Sequence, residues 1–311
     1  MSLNPALQNC RICPRNCGID RYQTIGFCGA PAELKINLAQ LHYGEEPPIS
    51  GTKGSGTIFF SHCNLLCVFC QNHSISLDGC GTYISTEDLA YLALQLQDNG
   101  AHNINLVTPS HYSLQIAEAI ALAKTNGLSI PVLWNSSAYE TTETLRRLDG
   151  LVDIFLPDFK YYHKIYARRY SKAADYPEIA LSALREMWRQ VGHFTTDPDG
   201  MATNGMLVRI LVLPNGLAGV KQSLYLLADE FGTGLALSLM AQYYPAGKAN
   251  DYPELRRGIH PEEYQEVVET ASILGFECVY TQDLSSDDHW TPKFRFGEIA
   301  EPTQVLQGVR T

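Results

Sequence analysis

Gly56-Thr57-Ile58-Phe59-Phe60-Ser61-His62-Cys63-Asn64-Leu65-Leu66-Cys67-Val68-Phe69-Cys70 is the stretch whose reading decides the fold. Thr57–Phe60 are β-branched and aromatic, which predicts a strand. Cys63, Cys67 and Cys70 follow as C-x3-C-x2-C on the loop that leaves the strand end, where α/β folds place their chemistry. Three thiolates at this spacing can wrap one metal centre. A structural zinc site needs a fourth ligand, and His62 and His73 stand near enough in sequence to serve. A [4Fe–4S] cluster held by only three cysteines leaves one iron open to a ligand from outside the protein.

Downstream of the cysteines, strand and helix patterns alternate. Ser85 with Asp88 predicts a helix start before Leu89, Leu92 and Leu96, with Ser85 doing most of the capping. Strands are expected at 103–107, 131–134, 152–156, 206–213 and 236–240. Helices are expected at 113–125, 141–148, within 164–191, at 220–231 and from Pro261. A last extended run covers Glu277 to Tyr280. Six βα repeats in series call for a parallel sheet with right-handed crossovers. The fold class is α/β, and a partial (β/α)6 TIM-like barrel fits the count. A doubly wound open sheet is the alternative.

The 311 residues suffice for one large domain with a small appendage, here 1–55 as a cysteine-rich N-terminal segment and 56–311 as the barrel with a C-terminal extension. A net charge of -10 weighs against nonspecific binding to nucleic acid or anionic membrane. No apolar run approaches the roughly 18 residues of a transmembrane helix. Met1-Ser2-Leu3-Asn4-Pro5 lacks the basic and apolar regions of a signal peptide. Of 9 cysteines, most fall in two tight groups, which points to metal binding in a reducing compartment, with the cytoplasm as the expected location.

The second group is Cys10, Cys13, Cys17 and Cys28, spaced among turn residues. Four thiolates can close a tetrahedral site, so zinc and an auxiliary iron–sulfur cluster both fit. Arg11, Arg15 and Arg21 either offset the thiolate charge or, the preferred reading, are solvated surface residues. Tyr43 to Gly56 reads as an irregular connector, with Glu45 and Glu46 either touching substrate or, the preferred reading, in a solvated loop.

The string Cys63-Asn64-Leu65-Leu66-Cys67-Val68-Phe69-Cys70-Gln71-Asn72, with Phe69 just before the last cysteine, resembles the signature of radical S-adenosylmethionine (SAM) enzymes. Within that superfamily the chain is similar to proteins of the pyruvate formate-lyase activating enzyme type, from Cys10 to about Pro245. The resemblance implies the partial barrel and a [4Fe–4S] cluster on Cys63, Cys67 and Cys70. It also implies reductive cleavage of SAM to a 5′-deoxyadenosyl radical, and hydrogen abstraction from a protein, peptide or small-molecule substrate. A reductant of the flavodoxin or ferredoxin class would supply the electron. The alternative from another class is a zinc-binding structural or interaction protein with two cysteine knuckles.

The residues just past each strand are the remaining site candidates, because ligands meet parallel barrels there. Thr108-Pro109-Ser110-His111 stands where the family carries a glycine-rich motif that meets the SAM amino group. With glycine missing, Thr108 or Ser110 would serve through hydroxyl or backbone oxygen. Asn135 and Ser136 offer small hydrogen-bonding groups suited to a ribose. Asp158 and Lys160, two apart on an extended strand end, point the same way. The resemblance implies that Lys160 meets the SAM carboxylate. Arg209 is the one charge in the most apolar strand and is expected to face the SAM site or a buried carboxylate.

Overall fold

The computed structural model describes residues 3–284, Phe294 and the backbone of Leu306–Gln307. One-turn α1 (Pro5–Gln8) leads into coil that carries the first four cysteines, and β1 (Leu34–His42) follows. Next come one-turn α2 (Pro47–Ser50), β2 (Ser55–Phe60), one-turn α3 (His73–Ser76) and β3 (Thr82–Ile84). The alternation then runs α4 (Thr86–Asp98), β4 (Ile104–Val107), α5 (Ser113–Thr125), β5 (Val132–Ser136), α6 (Thr142–Arg146) and β6 (Ile154–Pro157). The expected single helical region divides at Lys172 into α7 (Lys164–Ser171) and α8 (Tyr176–Val191). Then follow β7 (Thr195–Thr196), β8 (Ala202–Leu211), α9 (Val220–Phe231), β9 (Ala236–Met240), α10 (Pro261–Leu274), β10 (Val279–Thr281) and β11 (Leu306–Gln307).

The strands form one sheet in the order β10-β9-β8-β6-β5-β4-β2-β1-β11, with β3 on β1 and β7 on β8. From β2 to β10 the neighbours along this path are parallel, and β1 is antiparallel to β2. Among the described residues the path does not close, so this is a partial barrel, as expected. It extends the expected six βα strands with β10 on one side and β1 on the other.

Period-two alternation sorts the side chains. Ile58, Ile104, Leu106, Trp134, Phe155, Val208 and Leu237 face the helices and join the main core. Leu133, Ile154, Leu156, Leu207 and Ala236 face inward and form a separate cluster with Ile49 of α2. The connector therefore folds under the barrel, and Ile49 plugs its lower end. Burying a side chain of that size stabilises by roughly 1.5–3 kcal/mol.

The α4 cap is complete. Ser85 Oγ accepts from Asp88 N at 3.0 Å, and Asp88 Oδ2 accepts from Ser85 N at 2.9 Å. Asp88 thus reaches back fully, beyond what its short side chain predicts. The described residues contain no helix long and apolar enough to cross a membrane.

Candidate active site

The loop after β2 curls so that Cys63, Cys67 and Cys70 line one cavity of about 180 Å³. Its turn at Leu66 takes a left-handed backbone, φ 56°. Each sulfur already accepts one hydrogen bond: Cys63 from Leu65 N (3.3 Å), Cys67 from Ser171 Oγ (3.1 Å) and Cys70 from Ser76 Oγ (3.1 Å). Burial, aided by Cys67, pushes the Cys63 thiol up to about 12, and burial also raises Cys70. All three are free thiols. Soft thiolates on an open cavity, each with a donor to share its charge, suit a [4Fe–4S] cluster, and a cation there would replace the thiol protons.

The other strand ends supply the wall. Phe69 packs edge-on to Tyr161, Tyr170 and Tyr243 at 6.0–6.4 Å. Thr108, Asn135, Ser136, Asp158, Lys160 and Arg209 all line the cavity with the cysteines. Thr108 has φ 60°, a left-handed conformation that strains a β-branched residue, and its N–H donates to Asn135 O at 2.9 Å. The backbone thus adopts the form that glycine would take freely. Ser110 is buried but does not line the cavity. It stands behind the wall, hydrogen-bonded to the Glu140 carboxylate, which also accepts from Ser136 Oγ (2.6 Å) and Trp134 Nε1 (2.8 Å).

Asp158 organises the charges. Its Oδ2 accepts from Lys160 Nζ at 2.7 Å and its Oδ1 from Arg209 Nε at 3.0 Å. Burial works against the Asp158 charge, but the two cations outweigh it and hold the carboxyl below its ordinary value. Burial likewise opposes the Lys160 charge, and Asp158 outweighs it, so Lys160 titrates above its ordinary range. Arg209 continues to Asn135 Oδ1 (2.6 Å) and Glu45 Oε2 (3.0 Å), and Glu45 Oε1 accepts from Asn105 Nδ2 at 2.8 Å. The solvated reading of Glu45 and Glu46 is therefore wrong. The connector carries both into the barrel, where burial raises the Glu46 carboxyl and Arg209 opposes the rise.

Below this network lies a second cavity of about 310 Å³, reached by Glu45, Glu46, His42, Ser238 and Tyr280. Gln71, Asn72, Val107, Asn135, Arg209, Met240 and Gln242 line both spaces, so the two cavities adjoin. Gln242, in the coil after β9, is tied to the cysteine loop: its backbone carbonyl accepts from Gln71 Nε2 at 2.7 Å. Tyr243 is packing: its hydroxyl donates to Leu255 O at 2.7 Å.

Arg15 and Arg21 also correct the sequence expectation. Arg15 donates to Asn64 O (2.8 Å) and Leu65 O (3.3 Å) in the cysteine loop, and to Ser171 O (2.8 Å) and Lys172 O (2.6 Å). Arg21 is buried and donates to His111 O at 2.6 Å. Ser76 and Ser171 were not legible as site residues, because a single serine with no local pattern gains its role only from tertiary contact.

Residues 57–197, just under half the chain, match the model of the Radical SAM superfamily, and the cysteine loop lies within that stretch, so the domain built on it is similar to radical SAM domains. The match supports a radical SAM enzyme and implies a [4Fe–4S] cluster and SAM as cofactors. Among individual proteins, it is 29% identical over 283 residues to Uncharacterized protein MJ0674 of Methanocaldococcus jannaschii, covering 88% of this chain and 77% of that one. Three solved structures show a weaker likeness. HydG, a maturase of the [FeFe]-hydrogenase, matches with a TM-score of 0.47 and 15% identity over 70% of this chain, and the chain spans about half (48%) of that structure's length. Methylornithine synthase (PylB) matches with 0.47 and 13% over 76% of this chain and 71% of its own. A domain of a pyruvate-formate lyase-activating enzyme from Bacteroides vulgatus matches with 0.38 and 13% over 55% of this chain and 92% of its own.

Proposed function

We propose that the protein is a radical SAM enzyme of the activating-enzyme type, in which Cys63, Cys67 and Cys70 hold the [4Fe–4S] cluster. The observation that supports this most is that three free thiols and the Asp158–Lys160 pair line one cavity. A cluster held by these three thiolates would supply the electron for reductive cleavage of SAM, the chemistry that leads to hydrogen abstraction from a substrate.

The chain's own residues bind and orient. Lys160 would pair with the SAM carboxylate, and Asp158, bonded to Lys160, would hold it in place. Asn135 and Ser136 meet the ribose. The Thr108 backbone meets the amino group, and Phe69 closes the wall beside the cysteines. Arg209 faces the same space while tied to Asp158 and Glu45. Leu65 N, Ser76 and Ser171 donate to the sulfurs and so tune the cluster. The lower cavity receives the substrate, a protein segment, peptide or small molecule, and its contiguity with the upper one brings a C–H bond near the SAM site.

A flavodoxin- or ferredoxin-class reductant is the electron donor in this reading, and the cytoplasm is the location. The cysteine-rich segment 1–55 is taken as an appendage to the barrel of 56–311. Cys10, Cys13, Cys17 and Cys28 add a second, separate thiolate site.

Anaerobic reconstitution with iron and sulfide, followed by reduction and SAM, tests the reading. Chromatography should detect 5′-deoxyadenosine and methionine, and none with Cys63→Ala, Cys67→Ala or Cys70→Ala. Full cleavage by two of these variants would sink the proposal.

A further inference from the structure

The N-terminal segment holds four more cysteines that the SAM site does not use. Cys10, Cys13, Cys17 and Cys28 together line one small enclosed cavity, with Ile12 and Ile19 beside them. All four are free thiols, and Cys10 and Cys13 are buried. Cys28 lies 18 positions beyond Cys10, yet it is within electrostatic range of Cys10, Cys13 and Cys17. Backbone bonds draw the ends together: Cys10 N donates to Ile19 O at 2.8 Å and Gly18 N to Cys10 O at 2.9 Å. Gly26 closes the fold against Cys17. A Cβ at Gly26 would stand 3.0 Å from the Cys17 sulfur, so the glycine leaves that sulfur its place.

We infer that Cys10, Cys13, Cys17 and Cys28 hold a second [4Fe–4S] cluster, ligated by four thiolates and closed to SAM. The sulfurs surround a space instead of meeting at a point. Among the described residues no three Cys, His, Asp or Glu side chains converge as they would on a single ion. A tetrahedral zinc with Zn–S of about 2.3 Å needs its sulfurs nearly in contact. A cubane places each thiolate on a different iron and so keeps them farther apart. The group is the same kind of donor set as the SAM-site cysteines with the missing fourth ligand supplied, which leaves no iron open to an outside molecule.

The position gives the cluster its consequence. Cys13 is hydrogen-bonded to the side chain of Asn64, the residue next to Cys63. Arg15, two residues from Cys13, grips the backbone of the SAM-site loop at Asn64 and Leu65. Its guanidinium lies over the Phe27 ring at 3.7 Å, and Phe27 is the neighbour of Cys28. Binding four thiolates to one cluster fixes the segment that presents Arg15, and so fixes the back of the loop that carries Cys63, Cys67 and Cys70. The inference extends the proposed function but does not depend on SAM cleavage.

The test is metal analysis of the full chain after anaerobic reconstitution. A C63A/C67A/C70A variant should retain roughly four irons and four sulfides per chain. It should also give a paramagnetic signal on reduction, and adding Cys10→Ala and Cys17→Ala should remove both. Because either variant could lose solubility, the complementary one, C10A/C13A/C17A/C28A, is measured beside it, and its iron should fall to half that of the parent. About one zinc and no iron in the first variant overturns the proposal in favour of a zinc staple. No bound metal, or unchanged iron in the second variant, overturns it outright. Failure of SAM cleavage in the parent with these iron counts intact would instead count against the proposed function alone.

Discussion

Arg209 Nη1, from the inward face of β8, lies 3.0 Å from Glu45 Oε2, from the connector before β2. Residues 164 apart in sequence are joined inside the barrel. Both side chains are nearly out of solvent, at 12% and 9% exposure. Asp158 competes for the same guanidinium. Removing Arg209 therefore leaves two buried carboxylates without their shared cation.

Arg209→Ala should lose roughly 3–5 kcal/mol of unfolding free energy in urea or guanidinium titrations. Glu45→Gln should lose less, because an amide oxygen still accepts from Asn105. A loss below about 1 kcal/mol for Arg209→Ala would mean that the network does not hold the connector in place.

Lys160→Ala should weaken SAM binding with little change in melting temperature, since Asp158 keeps Arg209. Loss of a charge-assisted hydrogen bond to a carboxylate is worth roughly 1.5–3 kcal/mol, about tenfold to 150-fold in Kd. Calorimetric titration of the reconstituted protein reads it directly. Affinity within about twofold of the parent would remove Lys160 from the SAM site.

Thr108 sits at φ 60°. A left-handed backbone strains an L-residue by roughly 1–2 kcal/mol, while glycine adds roughly 0.5–1 kcal/mol of unfolded-state freedom. Thr108→Gly should therefore melt at or slightly above the parent temperature. Thr108→Val keeps the strain and should show no gain. A drop of more than about 1 kcal/mol for the glycine variant would mean that the hydroxyl, not the backbone, matters at this position.

Stability should fall on mild acidification because of His111. Its Nε2 donates to Ser61 O at 2.8 Å, and its buried Nδ1 has no partner to receive a proton. Burial, with Arg21 close by, pushes the residue down to about 3. The folded form stays neutral while the unfolded chain takes up a proton near pH 6.5, so stability is full above that value and is lost toward pH 3. Between pH 7 and pH 5 the loss due to His111 is about 2 kcal/mol. Denaturant curves at both values, compared with His111→Gln, read it. An equal slope in the variant would assign the loss to other groups.

Much of the architecture was legible because it rests on local pattern. α5, α9 and α10 stand where apolar spacing and Pro261 put them, and the parallel strands match apolar runs. β1 was missed although Leu34, Ile36 and Leu38 alternate, because the surrounding cysteines and glycines made the first 55 residues read as loop. At the site, Asp158 and Lys160 were legible as a pair because strand geometry fixes residues two apart on one face. Arg15 was not. A guanidinium among turns gives the same sequence signal in solvent as against four carbonyls, and only the chain's return brings Ser171 to it.

The sheet path that starts at β10 and ends at β11 does not meet itself among the described residues. Closure would lock strand tilt and stagger together, whereas end strands not paired to each other among the described residues leave the sheet's curvature adjustable without breaking a hydrogen-bond ladder.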